Sequence, residues 1–347
     1  MIYKSLDHWR GIAALWVMAY HGYCLFLNRP NYISERLGIL HWLVGHGWFG
    51  VHLFFVLSGF CITANLVSSR TKGKKTFEFI RDRFLRIFPV YWCALLSQIA
   101  LQILSSPFNR SPWRDALPEG RKEWLASIFL IEPYWELPSR LLVAWSLVYE
   151  WGFYILMAFG LLMSLLRLPS ALIFILAATL SFCGLAGHTS GLLFILKFWP
   201  EFFAGVILYS FLGQKQVFIK GILACTLFSL PVFLFCMEGL SPRSSMMIGA
   251  TCFAVVLCFL RPWDDLIAAW KPIAWIGNVG TFSYSLYLIH VPFGGAFRNL
   301  FMRFVSESSP GFLIVQAGYW LFCISSAYLF FRLVEKPWEL FRKNYFR

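Results

Sequence analysis

The chain has 347 residues, of which 59% are hydrophobic, 19% aromatic and only 14% charged. Its mean hydropathy is +0.65. Soluble domains are about half apolar and a quarter charged, so a water-soluble enzyme is excluded and an all-α, polytopic helical bundle in a membrane is predicted. The net charge of +13 does not point to nucleic acid, because the basic residues gather in a few loops as membrane topology requires.

From Gly11 to Leu27 the chain carries no Asp, Glu, Lys or Arg, about the length needed to cross a bilayer core. Arg10 and His21 are eleven residues apart, so on a helix they differ by only about 20° and share a face, about 16 Å apart along it. Arg10 then lies at the membrane surface and His21 within the apolar layer. An ionisable group at that depth faces a cavity or a partner helix. An apolar surround favours the neutral imidazole that a general base needs. The segment lacks a small-residue cleavage site and is read as a retained helix rather than a signal peptide.

Charge-poor runs predict ten spans, near 11–28, 48–67, 87–105, 143–166, 169–187, 192–212, 220–237, 245–260, 281–301 and 311–332. An even number puts both termini on one side. The loop after the second span holds Arg70, Lys72, Lys74, Lys75, Arg81, Arg83 and Arg86, and the tail holds Lys336, Arg342, Lys343 and Arg347. Both are cytoplasmic by the positive-inside rule. Segment 106–142 then lies outside, and its charges balance: Arg110, Arg114, Arg121, Lys122 and Arg140 face Asp115, Glu119, Glu123, Glu132 and Glu136. Trp113, Trp124 and Trp135 in that segment suit sugar stacking or an interfacial aromatic belt. No repeat divides the chain, and residues 1–347 are read as one transmembrane domain. The nine cysteines lie mostly in apolar runs without a Cys-x-x-Cys pair, so neither a disulfide framework nor a metal site is indicated.

Several motifs carry chemistry. Gly45-His46-Gly47-Trp48-Phe49-Gly50 has the Gly-x-Gly-x-x-Gly pattern without the preceding strand a dinucleotide site needs, so its glycines are expected to let helices approach. Arg83 and Arg86, three residues apart, point the same way on a helix. They form a guanidinium fork for phosphate or an anchor to lipid headgroups. Trp145-Ser146-Leu147-Val148-Tyr149-Glu150 sets a carboxylate inside an apolar run, which requires a partner: Arg140, a nearby tyrosine, or a substrate. Tyr284, Tyr287 and His290 form a polar stripe, which either lines a cavity or holds helices together by hydrogen bonds.

In order along the chain stand the first helix, Gly50-Val51-His52-Leu53-Phe54-Phe55-Val56-Leu57-Ser58-Gly59-Phe60, Arg83-x-x-Arg86-x-x-Pro89-x-Tyr91, Trp145-Ser146-Leu147-x-x-Glu150, Ser283-Tyr284-Ser285-Leu286-Tyr287-x-x-His290 and Glu335-Lys336-Pro337. Together they resemble the signature of acyltransferase family 3, integral-membrane enzymes that acetylate bacterial surface sugars. The resemblance implies acetyl-CoA, or another acyl-CoA, as cytoplasmic donor. It implies a glycan or lipid-linked sugar as acceptor, for example the O-antigen of a lipopolysaccharide, and a place in the bacterial inner membrane among its lipids. It assigns catalysis to His21, Arg10 and Glu150, donor binding to Arg83, Arg86 and Arg10, and the substrate passage to Tyr284, Tyr287, His290 and Trp145. His21 would act as general base or carry the acyl group itself. His52 departs from the family, which often has an acidic residue there, and the hydrolase-like domain that many relatives carry is not expected here. The rival readings are a transporter or flippase of protons or a lipid-linked sugar, and a membrane scaffold. Against a transporter, no paired repeat halves with Gly/Pro-broken helices are found.

Overall fold

The computed structural model describes residues 3–24, 30–109, 112–187, 191–305 and 311–346. Residues 25–28 of the first expected span, and the charged Arg110 and Arg347, lie outside these. Among the described residues there are helices and no strand. In chain order they are α1 (Leu6–Cys24), α2 (Pro30–Gly45), α3 (Gly50–Thr71), α4 (Thr76–Asn109), α5 (Gly120–Phe129), α6 (Trp145–Leu165), α7 (Ser170–Leu185) and α8 (Trp199–Gly213). There follow α9 (Val217–Glu238), α10 (Pro242–Leu260), α11 (Asp264–Ala269), α12 (Ala274–Thr281), α13 (Ser283–Phe301), α14 (Gly311–Phe330) and α15 (Lys336–Tyr345).

Each of the ten expected spans coincides with a helix, but the helices are not alike. Among the described residues, seven are long and apolar enough to cross a membrane, and the chain is an all-α integral membrane protein. α7 is apolar but only 16 residues long. α1 and α13 have 19 residues each and miss on apolarity. Asp7, His8, Arg10 and His21 dilute one; serines, tyrosines, His290 and Arg298 dilute the other. A helix that keeps polar groups at membrane depth must turn them toward protein.

The helices belong to two compact units, each assembled from separate stretches of chain. The first comprises residues 1–6, 51–84 and 146–270. Here α3 and α8 touch backbone to backbone through glycine. A Cβ at Gly59 would stand 2.0 Å from the Phe202 carbonyl oxygen, and one at Gly205 would stand 2.1 Å from that of Val56. Either Gly→Ala change would force the pair apart. Stacked rings of Phe153 and Phe202, 4.4 Å between centroids, fill the adjoining core. The start of the chain is tied to the same unit by Asp264. Its carboxylate accepts from the Lys4 and Ser5 backbone N–H groups at 2.8 and 3.0 Å and from Ser5 Oγ at 2.6 Å. Arg261 pairs with it at 2.8 Å.

The second unit comprises residues 7–50, 85–145 and 271–347. α13 and α14 are its core, packed along their lengths. Gly47 and Gly50 meet the α1 backbone, with positions for a Cβ only 2.2 Å from the Trp16 oxygen and 2.7 Å from that of Ala13. The Gly-x-Gly-x-x-Gly stretch therefore serves helix contact, as its setting predicts. Pro89 sits inside α4 and has no N–H for the Leu85 carbonyl; Trp338 Nε1 donates to that carbonyl instead, at 2.7 Å. The segment expected outside is ordered against α4. Tyr91 donates to the Ser127 oxygen at 2.6 Å and Trp92 Nε1 to that of Ile128 at 2.9 Å.

Candidate active site

His21 and His290, from α1 and α13 of the second unit, meet: His290 Nε2 lies 3.1 Å from His21 Nδ1. No sequence spacing connects them, since 269 residues separate the two. Their remaining contacts assign the protons. His290 Nδ1 is 2.9 Å from the Leu286 carbonyl oxygen and His21 Nδ1 is 3.0 Å from that of Val17. A carbonyl only accepts, so in neutral rings both Nδ1 atoms carry hydrogen. His290 Nε2 is then an acceptor, His21 Nδ1–H is shared between it and Val17, and His21 Nε2 keeps its lone pair. His290 is 1% exposed, whereas His21 is half-buried. The arrangement is one that a base can use: a half-buried imidazole with a sealed one bonded behind it.

A second polar group lies earlier on the same helices. Ser285 on α13 donates to the carboxylate of Glu335 at 2.5 Å, and both Arg10 and Arg86 stand within electrostatic reach of that carboxylate. Arg10 also pairs with Asp7 at 3.7 Å. Glu335 closes a single π-helical turn, Phe331–Glu335, at the end of α14. The wide turn shifts the side chains that follow it, a device frequent at functional sites. Sequence spacing singled out Arg10 and Arg86 but used Glu335 only as part of a signature; periodicity read at 3.6 residues per turn cannot foresee a π turn.

The stripe on α13 divides. Tyr284 donates to the Ile87 carbonyl oxygen at 2.9 Å and Tyr287 to that of Val143 at 3.1 Å. Both clasp neighbouring backbone, while His290 turns to His21. Trp145 opens α6 two residues after Val143 and is half-buried.

Glu150 and Arg83 belong to the first unit. Ser58 Oγ donates to Glu150 at 3.1 Å and Tyr154 adds a second, short hydrogen bond. The partner is therefore a tyrosine and a serine, not Arg140, which pairs with Glu123. Arg83 lies over the Phe79 ring, 5.8 Å from its centroid. His52 is also in this unit, 3% exposed, with Nδ1 3.3 Å from Glu201 Oε1.

Comparison with known proteins adds the family. The model of a family described as "Acyltransferase domain" matches residues 3–332. The chain is 24% identical over 403 residues to the peptidoglycan O-acetyltransferase OatA of Listeria monocytogenes serovar 1/2a, covering 99% of this chain and 56% of that protein. It is 25% identical over 337 residues to the putative peptidoglycan O-acetyltransferase YrhL of Bacillus subtilis, covering 83% and 48%. With the O-acetyltransferase OatA of Staphylococcus aureus the identity is 26% over 165 residues, covering 44% and 23%. The chain spans about half the length of the first two relatives. No solved structure matches it.

Proposed function

The chain belongs to the acyltransferase family, and from that premise we propose that it is an O-acyltransferase of the bacterial cytoplasmic membrane. It moves an acetyl or other short acyl group from acyl-CoA to a sugar hydroxyl of an envelope glycan. The observation that carries this reading is the His21–His290 pair, whose hydrogen bonds leave a lone pair on His21 Nε2. That nitrogen takes the proton of the acceptor hydroxyl as its oxygen attacks the thioester carbonyl. The C–O bond forms, the C–S bond breaks, and the departing CoA sulfur takes the proton back from His21. His290 Nε2 accepts from Nδ1–H throughout and steadies the imidazolium, the part a carboxylate plays in a serine-protease triad.

Arg83 and Arg86 hold the phosphates of the donor at the cytoplasmic mouth, and Arg10 guides the thioester inward. Glu335 fixes Arg10 and Arg86 as a positioning residue. Trp145, Tyr284 and Tyr287 border the passage. Both termini are cytoplasmic in this scheme. The Listeria and Bacillus relatives, a peptidoglycan O-acetyltransferase and a putative one, favour peptidoglycan as the acceptor over the O-antigen that the family signature alone suggests.

The test is purified protein in vesicles with acetyl-CoA labelled in the acetyl group. CoA release that depends on added glycan, with label in the glycan, is expected; a transporter or a scaffold would release none. Mass spectrometry of peptidoglycan and of lipopolysaccharide, from cells with and without the gene, then identifies the acceptor. Arg86→Ala should weaken acyl-CoA binding about ten- to a hundredfold, the loss of one charge-assisted hydrogen bond. Unchanged donor affinity would return Arg86 to the role of a lipid anchor.

A further inference from the structure

From Gly311 to Tyr345 the chain is helical without a break, through α14, the π turn and α15. It carries no charge before Arg332, a run of about 20 residues that fills the hydrocarbon layer. The rest of the helix adds about 20 Å at 1.5 Å per residue, at headgroup depth or beyond. That extension is not polar all round. An exposed stripe at every fourth residue runs through Leu321, Ser325 and Leu329 on α14, Leu333 in the π turn, and Pro337, Phe341 and Tyr345 on α15. Leu333 is 67% exposed and Tyr345 72%. The rings of Trp338, Phe341 and Tyr345 follow one another at 5.6 and 4.5 Å between centroids. Basic side chains flank them. Lys336 and Lys343 are exposed, the second in a 2.8 Å pair with Glu339, and Arg332 donates to the Tyr328 hydroxyl at 3.0 Å.

The start of α15 is held to α4. Trp338 Nε1 donates to the Leu85 carbonyl oxygen, next to Arg86. Glu335 and Glu339, one turn apart, both stand within electrostatic reach of Arg86. Beyond Trp338 the aromatic face is open, with Phe341 44% exposed. Its chemistry says what covers it. Tyrosine and tryptophan rings favour the boundary between acyl chains and headgroups, and lysines at that depth meet the phosphates of anionic lipid. A helix with both lies in the interface. The stripe also continues the face that α14 leaves exposed within the apolar run, so one solvent, passing from tails to headgroups, covers it throughout. A protein partner would have to dock on a face that the bilayer already flanks.

We propose that α15 is a docking helix for anionic phospholipid. Lys336 and Lys343 take headgroup phosphates, while Phe341 and Tyr345 sink toward the acyl chains. The Glu339 pair does not prevent this, since an exposed i,i+4 ion pair is weak. So held, α15 keeps Trp338 on Leu85 and both carboxylates beside Arg86, and lipid charge thereby sets the arginine that receives the donor. Docking is independent of the acyl-transfer reading; its link to Arg86 rests on that reading.

The test places the full chain in nanodiscs of phosphatidylcholine, with and without phosphatidylglycerol, and follows amide hydrogen exchange across residues 336–345. Exchange proceeds from the undocked helix, so phosphatidylglycerol should slow it at least about fivefold, the contribution of one basic residue at an anionic surface. Raised salt should remove the difference. Lys336→Gln/Lys343→Gln should lose it, Lys336→Arg/Lys343→Arg should keep it, and Phe341→Ser/Tyr345→Ser should exchange fast in both membranes. Equal exchange in the two membranes, or a lipid effect that survives the double glutamine variant, overturns the proposal. So does protection that appears only in native membranes, since a protein would then cover the face. Acetyl-CoA binding reads the link to Arg86. Surface charge alone would repel the anionic donor, so wild type that binds it more tightly with phosphatidylglycerol, and a double glutamine variant that does not, support the link. Weaker or equal binding by wild type overturns the link. If docking holds but acetyl-CoA binds in neither membrane, the lipid surface stands and the acyl-transfer reading falls.

Discussion

Each unit buries a histidine against an ionisable neighbour, and the two pairs differ in a way that separates structure from chemistry. By bond pattern alone the first unit has the better base: His52 Nδ1 faces the Glu201 carboxylate at 3.3 Å, the arrangement that backs a catalytic imidazole in a protease triad. Yet His52 and Glu201 are 3% and 6% exposed, and the rings of Phe55 and Phe198 close over the imidazole at 6.1 and 5.8 Å between centroids. The second unit pairs two imidazoles without a bonded carboxylate, but only one of them, His290, is sealed. The lesson concerns access. A buried histidine at membrane depth becomes a functional group when its second nitrogen has somewhere to reach.

Exchanging the two roles would break that contrast, and the largest effect is expected at His21. Losing a general base costs about 10²–10⁴ in rate, so His21→Ala should abolish transfer while the protein still inserts. His21→Gln keeps a hydrogen bond to Val17 but cannot take a proton, and should be equally inactive. His290→Gln should lower kcat with the acyl-CoA KM unchanged, because it acts through His21. Near-normal transfer by His21→Gln at unchanged protein level would make His21 a packing residue and move the search for a base to His290.

His52→Ala should do the opposite. Removing it strips a partner from a buried carboxylate whose Oε2 already lacks one, and breaking a buried pair costs about 3–5 kcal/mol. Thermal unfolding should therefore occur well below wild type, while activity per folded molecule stays near normal. A His52→Ala protein of full stability and no activity would reverse the assignment of the two pairs.

The contrast also shows what the sequence makes legible. His21 and Arg10 stand out because charge is rare in apolar runs, and His290 because it caps a polar stripe. That the first and last of these touch is a tertiary fact, since no periodicity relates α1 to α13. The length and apolarity of the spans are one-dimensional properties and are legible; the polarity that sets α1 and α13 apart makes sense only once both are seen to turn their histidines inward. Pro89 and Tyr91 stand in the motif that begins Arg83-x-x-Arg86 yet act as clasps, one freeing a carbonyl for Trp338 and the other gripping Ser127. Glu335 depends on a π turn, which has no local signature.

A third buried group, in the extracytoplasmic segment of the proposed topology, sharpens the rule with a smaller effect. Glu132 is 1% exposed, and among the described residues no side chain bonds its carboxylate; only its own backbone N–H favours the charged form. Burial pushes its carboxyl up to about 7. Nearby Glu123, held by Arg140 at 2.5 Å, moves below the usual carboxylate range. The folded state thus keeps a proton on Glu132 that the unfolded chain gives up above its ordinary value of 4.5. Because the native state binds more protons over that interval, stability falls as pH rises from about 4.5 to about 7 and then levels. The loss is on the order of 3 kcal/mol if the carboxyl stays fully buried, and less if water reaches it. Glu132→Gln mimics the neutral acid at every pH, so its unfolding midpoint should match wild type near pH 5 and exceed it near pH 8. A variant less stable than wild type at pH 8 would mean that the carboxylate is ionised and bound in the native state. Glu132 would then join Glu201 as a partnered group.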